Sequence, residues 1–351
     1  MPLRFIAAPC LCWLQGSRFL LCSDDAIRQE DSIRDHGGDI DTAQARFGGK
    51  DWIDLSTGIN RAPYPPPSLP QEVWTALPTV AATALLLTAA GAAYRSQAPI
   101  LAVAGAQAAI QLIPRLSAPA QARILIPTYN EHGAALHSAG WQVNEVTTLT
   151  ALEGADLAVV VNPNNPDGRS HAPQDLLRLA TRVGRLVVDE SFADARPDLS
   201  LAPKAAQGRL IVLRSFGKFY GLAGVRLGFI LGSEADIATL TEMAGPWPVS
   251  GPAIAIGTAA LSDRAWAEAT VARLRTDAAR LDDLAQSAGW KLVGGTDLFR
   301  LYDTPDAVAA RDRLARHQIW TRMFPYSDRW LRLGLPGQPA EWDRLAAALR
   351  D

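Results

Sequence analysis

The sequence predicts an α/β protein with one large layer around a mostly parallel seven-stranded sheet, followed by a smaller α+β unit. Three observations predict it. From about residue 100 onward, short apolar runs alternate with helical stretches, the pattern of βα units feeding a largely parallel sheet. A length of 351 residues, 48% hydrophobic and 20% charged, is enough to bury a large core and leave chain for a second domain. Pro246 and Pro248 break the alternation, and the pattern after them is shorter and mixed.

In chain order, residues 1–34 read as a poorly ordered extension. Their apolar stretch has the length of a signal-peptide core, but Pro9, Cys10 and Cys12 interrupt it and no small-x-small cleavage site follows. Residues 35–70 form an N-terminal arm and linker, whose proline-rich end at 61–70 is extended because proline fixes φ and biases its predecessor the same way. Residues 71–245 make the large domain, with strands expected at 100–104, 123–127, 142–146, 157–161, 186–189, 210–214 and 227–231. Helices are expected there at 81–94, 106–116 and 173–183. Residues 246–351 make the small domain: one long helix at 254–285, then strands near 291 and at 298–301, a helix at 307–317, strands at 319–322 and 331–333, and a last helix from about 341.

Composition excludes several function classes. A net charge of −2 with arginines scattered along the chain leaves no electrostatic footprint for nucleic acid. No stretch reaches the roughly 18–20 apolar residues of a membrane-spanning helix. All three cysteines, Cys10, Cys12 and Cys22, precede the body of the fold, so no metal-ligand spacing arises and a reducing, cytoplasmic setting fits. No metal is expected.

Only four of the 34 basic residues are lysines, and Lys218 is one of them, set among Gly217, Gly221 and Gly224. An amine, unlike a guanidinium, can lose its proton near neutral pH when desolvated and then attack a carbonyl. Alone it could equally be an ordinary loop lysine. Asp189 ends the apolar run Arg-Leu-Val-Val-Asp, at the carboxyl edge of a parallel sheet where such folds bind ligands. Asn165 follows the preceding strand in Val-Asn-Pro-Asn-Asn-Pro-Asp-Gly, which could also be a simple turn. Gly105, Ala106 and Gln107 lie between a strand and a helix, where free backbone N–H groups can face an anion. Tyr129 follows another strand, where an aromatic face can cover a flat ligand.

The order of these positions, then Ser215, Lys218 three residues on and Arg226 eight further, resembles the aminotransferase family of pyridoxal-phosphate enzymes, fold type I. The resemblance spans roughly residues 35–350 and implies roles. Lys218 would hold pyridoxal 5'-phosphate as a Schiff base, Asp189 would keep its pyridine nitrogen protonated, and Tyr129 would stack on the ring. Asn165 would bond the ring oxygen. Ser215, Arg226 and the amides of Gly105, Ala106 and Gln107 would hold the cofactor phosphate, and Arg332, in Trp-Leu-Arg-Leu-Gly, would take the substrate carboxylate.

Phe192 stands where many aminotransferases carry a tyrosine. Together with His36-Gly-Gly-Asp-Ile and Trp-Ile-Asp-Leu-Ser-Thr-Gly-Ile-Asn at 52–60, it is similar to the threonine-phosphate decarboxylases of cobalamin biosynthesis. That resemblance implies that His36 and Arg322 contact a substrate phosphate, with Thr57, Gly58 and Asn60 nearby, and that a homodimer acts on a phosphorylated amino acid. The family's intersubunit tyrosine is absent from 77–83. A histidinol-phosphate or aromatic amino acid aminotransferase shares every cofactor residue, and a cofactor-binding regulator without activity shares the fold; both remain open at this point.

Overall fold

Strands form where β-branched and leucine residues run together. In the computed structural model, which describes residues 36–351, the seven strands are β2 (Ile100–Val103), β3 (Gln121–Leu125), β4 (Gln142–Val146), β5 (Leu157–Val161), β6 (Leu186–Asp189), β7 (Leu210–Ser215) and β8 (Gly228–Leu231), after a short β1 (Ile53–Asp54). They order as β2-β8-β7-β6-β5-β3-β4. All neighbours are parallel except β8, which runs antiparallel to both β2 and β7. Every residue of β5 and β6 is buried, as expected of central parallel strands covered on both faces.

The period of two divides the core. Val188 and Val212 belong to the apolar cluster on one side of the sheet, whereas Val187 and Leu213 belong to that on the other. Each such side chain contributes about 1.5–3 kcal/mol of burial, and a slip of one residue would invert both faces. Register therefore fixes which strand-end side chains emerge together. The carboxyl ends of β3, β5, β6 and β7 lead into Tyr129, Asn165, Asp189 and Ser215 along one edge.

After the large sheet come β9 (Lys291–Thr296), β10 (Phe299–Asp303), β11 (Ile319–Trp320), β12 (Arg322–Phe324) and β13 (Ser327–Gly334). Four of them make an antiparallel sheet ordered β12-β13-β10-β9, and β11 pairs in parallel with β1. The strand expected at 319–322 is thus two pieces, divided at Thr321.

The long helix expected at 254–285 is also two, Gly251–Ser262 and Arg264–Ser287. Asp263 leaves helical geometry at φ −87°, ψ 81° and accepts from the Trp266 N–H at 2.9 Å. A capping carboxylate competes with helix continuation, and here it wins. Helices Ile40–Phe47, Gln71–Thr75, Glu131–Ser138 and Glu234–Ala244 were not anticipated. Residues 61–70 are free of helix and strand, as their prolines dictate. The extension at 1–34 and its cysteines lie outside the described residues.

Candidate active site

β7 ends at Ser215 and a single helical turn, Phe216–Phe219, carries Lys218. Its carbonyl accepts from the Asn60 N–H at 3.0 Å, which ties this turn to the segment after β1. The amine is pushed down from 10.5 to about 8, first by desolvation, then by the charge of Arg332, with Arg322 and Arg226 adding and Asp189 opposing. At pH 7 that leaves about a tenth of the amine unprotonated, against well under a thousandth at its ordinary value. Burial and neighbouring cations together make this lysine a nucleophile.

Asp189 is 2% exposed. Its Oδ2 lies 2.9 Å from His132 Nε2, and its Oδ1 accepts from the Ser191 N–H at 2.9 Å and the Ser191 hydroxyl at 2.5 Å. Burial pushes its pKa up, but these bonds outweigh burial and hold it below the usual carboxylate value. It stays ionised, as a partner of a protonated ring nitrogen must.

At the other strand ends, Gly105 begins helix Ala106–Leu112 with φ 80°. A Cβ there would lie 2.7 Å from Arg226 Nη2, so glycine is needed both for the conformation and for the arginine's approach. Ala106 and Gln107, as the first helical residues, present N–H groups without intrahelical partners. Ser215 and Tyr129 are half-buried. The Tyr129 phenol is pushed up to about 12 by burial, then by the charges of Glu131 and Asp189, against Arg322 and Arg226.

Arg332 is 3% exposed and donates to Asn165 Oδ1 and, at 2.6 Å, to the Ser56 carbonyl. On the paired strands β12 and β13, Arg322 stands directly opposite it. Opposed residues share a face, and like charges in that position destabilise a sheet. Two guanidiniums held side by side near an amine therefore suit a ligand with two anionic groups.

Thr57 and Gly58 continue the Ser56 segment. A Cβ on Gly58 would meet the Phe192 ring at 2.8 Å and Phe299 at 2.9 Å. Phe192 is buried, 4.9 Å edge-on to Phe299 and 5.7 Å from Lys218 Nζ, so it presents carbon where a tyrosine would present a hydroxyl. Asn60, expected near the substrate, packs against the turn that carries Lys218. Its amide donates to the Phe219 carbonyl at 2.9 Å, and its oxygen accepts from Ala62 at 3.1 Å and Arg273 at 2.7 Å. It anchors the loop that carries Lys218.

The His36 ring lies 6.0 Å from Tyr129, and its Nε2 is 3.0 Å from Glu131 Oε1. Glu131 also accepts from Gln107 Nε2 at 2.8 Å. Ser191 and Glu131 did not stand out in the sequence, and His132, which follows the same strand as Tyr129 and could likewise cover a flat ligand, was given no separate role there. The Asn-Glu-His run after Tyr129 was the available signal, but the partners of Glu131 and His132 lie 24 to 95 residues away.

Among the described residues no group of three His, Cys, Asp or Glu side chains could hold a metal. A phosphorylated pyridine aldehyde does fit: an amine of lowered pKa, an ionised buried carboxylate, and an arginine drawn over a glycine that leaves it room.

A sequence profile described as aminotransferase class I and II matches residues 50–349. A Sinorhizobium protein named threonine-phosphate decarboxylase is 45% identical over 325 residues, 90% of this chain and 97% of its own length. One of the same name from Pseudomonas aeruginosa is 43% identical over 324 residues, with the same coverage. In fold, the chain is similar to the histidinol-phosphate aminotransferase of Sinorhizobium meliloti in complex with pyridoxal-5'-phosphate. That match has TM-score 0.74 and 23% identity, and covers 95% of this chain and 97% of that one.

Proposed function

The chain belongs to the aminotransferase class I and II family, and from that membership we propose that it decarboxylates L-threonine O-3-phosphate to (R)-1-amino-2-propanol O-2-phosphate, for the nucleotide loop of cobalamin. Its cofactor is pyridoxal 5'-phosphate. The observation that carries the reading is the opposition of Arg322 and Arg332 beside Lys218, because this substrate brings two anions, a phosphate and a carboxylate. The names of the two relatives above 40% identity support it, and they disfavour the aminotransferase alternative.

Bound cofactor supplies an electron-poor ring that takes up the pair released when a bond at Cα breaks. Lys218 would hold it covalently, Asp189 would keep the proton on its pyridine nitrogen, and Tyr129 would cover its face. Asn165 would bond its ring oxygen, while Ser215, Arg226 and the amides of Gly105, Ala106 and Gln107 would take its phosphate. Arg332 grips the substrate carboxylate, and Arg322 with His36 grips the substrate phosphate beside Thr57 and Gly58. Fixing both ends would orient the Cα–carboxylate bond for cleavage, and orientation of this kind is worth several kcal/mol. Lys218 Nζ, released when the substrate amine takes its place on the cofactor, would then return a proton to the Cα from which carbon dioxide has left.

A homodimer is supported by exposed apolar side chains: Trp74 is 62%, Leu77 64% and Val80 88% exposed. A cytoplasmic setting agrees with the cysteine usage. No helix among the described residues is long and apolar enough to cross a membrane.

Incubating purified holoenzyme with phosphothreonine and no 2-oxo acid tests the reaction. Carbon dioxide release is expected; strict dependence on 2-oxoglutarate would overturn the reading.

A further inference from the structure

We infer that Glu131 is a specificity-determining positioning residue: it holds His36 of the N-terminal arm against the site, so that the arm reads the substrate phosphate. This rests on the proposed function. A buried carboxylate is an unexpected neighbour for a site that must take up anions, since it repels them and costs desolvation. Glu131 is 6% exposed and lies at the start of helix Glu131–Ser138, two residues after Tyr129. Its two oxygens reach in different directions. Oε1 is 3.0 Å from His36 Nε2, and Oε2 accepts from Gln107 Nε2 at 2.8 Å. Gln107 in turn meets the Tyr129 hydroxyl at 3.4 Å through its Oε1.

The chain His36–Glu131–Gln107–Tyr129 therefore ties the arm to the turn and the aromatic assigned to the cofactor. The chemistry follows from the imidazole. With Nε2–H donated to a carboxylate, the tautomer is set and Nδ1 is left as the other polar edge. Glu131 therefore fixes which edge of the ring is engaged, and Nδ1 is the edge left to meet a phosphate oxygen. His36 itself is 41% exposed in its side chain; the Gly38 N–H ties the arm backbone to Ser56 Oγ at 2.7 Å, and Glu131 fixes the imidazole on the solvent side of the site. The repulsion that Glu131 brings is moderated because both of its oxygens are engaged, one by His36 and one by Gln107.

The test uses Glu131→Gln, His36→Gln and the double variant in the holoenzyme. Kinetics on phosphothreonine and on unphosphorylated threonine are combined with calorimetric binding of inorganic phosphate. For Glu131→Gln the KM for phosphothreonine is expected to rise about tenfold with kcat within about twofold. Phosphate binding should weaken in parallel, and the constants for threonine and the cofactor absorbance should be unchanged. In the His36→Gln background the same change should cost nothing further. An unchanged KM, an equal loss on threonine, or independent effects in the double variant overturns the inference. Wild-type protein that releases no carbon dioxide from phosphothreonine overturns the proposed function and this inference with it, whereas active wild type with independent effects overturns the inference alone.

Discussion

Asp189 and Glu190 are adjacent, buried carboxylates, 2% and 0% exposed, and they serve two different charge environments. Glu190 accepts from Arg214 at 2.9 Å, from Ser200 at 2.5 Å and from the Leu201 N–H at 2.5 Å, and Arg214 also donates to Asp194 at 2.8 Å. Burial raises the Glu190 pKa, partly offset by Arg214. Burial lowers that of Arg214, but Asp194 and Glu190 outweigh it and push the guanidinium up. Here the protein closes its own charges. Around Lys218 the balance is reversed: the amine is pushed down by Arg332, Arg322 and Arg226, with Asp189 alone opposing among the named charges. In one cluster a single guanidinium is matched by two carboxylates, while in the other three guanidiniums bear on one amine against one carboxylate.

The largest expected effect is on the open side. Lys218→Ala should lower turnover by at least about 10³-fold and abolish the cofactor's protein-bound absorbance, with thermal stability little changed. Arg214→Ala should do the reverse. It leaves Glu190 and Asp194 buried without their cation and should cost about 3–5 kcal/mol of unfolding free energy, read by denaturant titration, while kcat of the folded fraction stays within about tenfold. A folded but inactive Arg214→Ala protein would erase the distinction.

Arg322→Ala should raise the KM for phosphothreonine by about 10- to 100-fold, a loss of roughly 1.4–2.7 kcal/mol. Removing that charge also raises the Lys218 pKa, so the pH at which apoprotein captures cofactor, followed by absorbance, should move up from about 8. A smaller effect is on stability. The folded pKa of Lys218 is depressed, so below about 8 its charge opposes folding, and stability rises from there toward 10.5 while only the unfolded chain holds the proton. Apoprotein with Lys218→Met should therefore be more stable than wild type by up to about 3 kcal/mol at pH 7, and the difference should vanish above about pH 10.5. A constant difference across that range would show that the amine is not strained by its surroundings.

The two environments were not equally legible in the sequence. Strand-end residues such as Asp189, Asn165 and Ser215 could be read because apolar runs mark strands and parallel strands share an edge. Lys218 stood out because an amine was used where the chain prefers guanidinium. The closed cluster escaped notice, since Glu190, Asp194 and Arg214 meet only after β6 and β7 pair. The anchoring contacts of Asn60 escaped notice for a related reason: its partners Phe219 and Arg273 are 159 and 213 residues away, and no local pattern records them. The break at Asp263 was present as a capping residue, but helical periodicity on both sides masked it.

The division of charge is tested most directly by a crystal structure of the holoenzyme with phosphothreonine bound. The substrate phosphate should meet Arg322 and His36 and the carboxylate should meet Arg332, with Arg214 still paired to Glu190 and Asp194. A phosphate seated on Arg214, or a substrate bound with neither anion on Arg322 or Arg332, would contradict it.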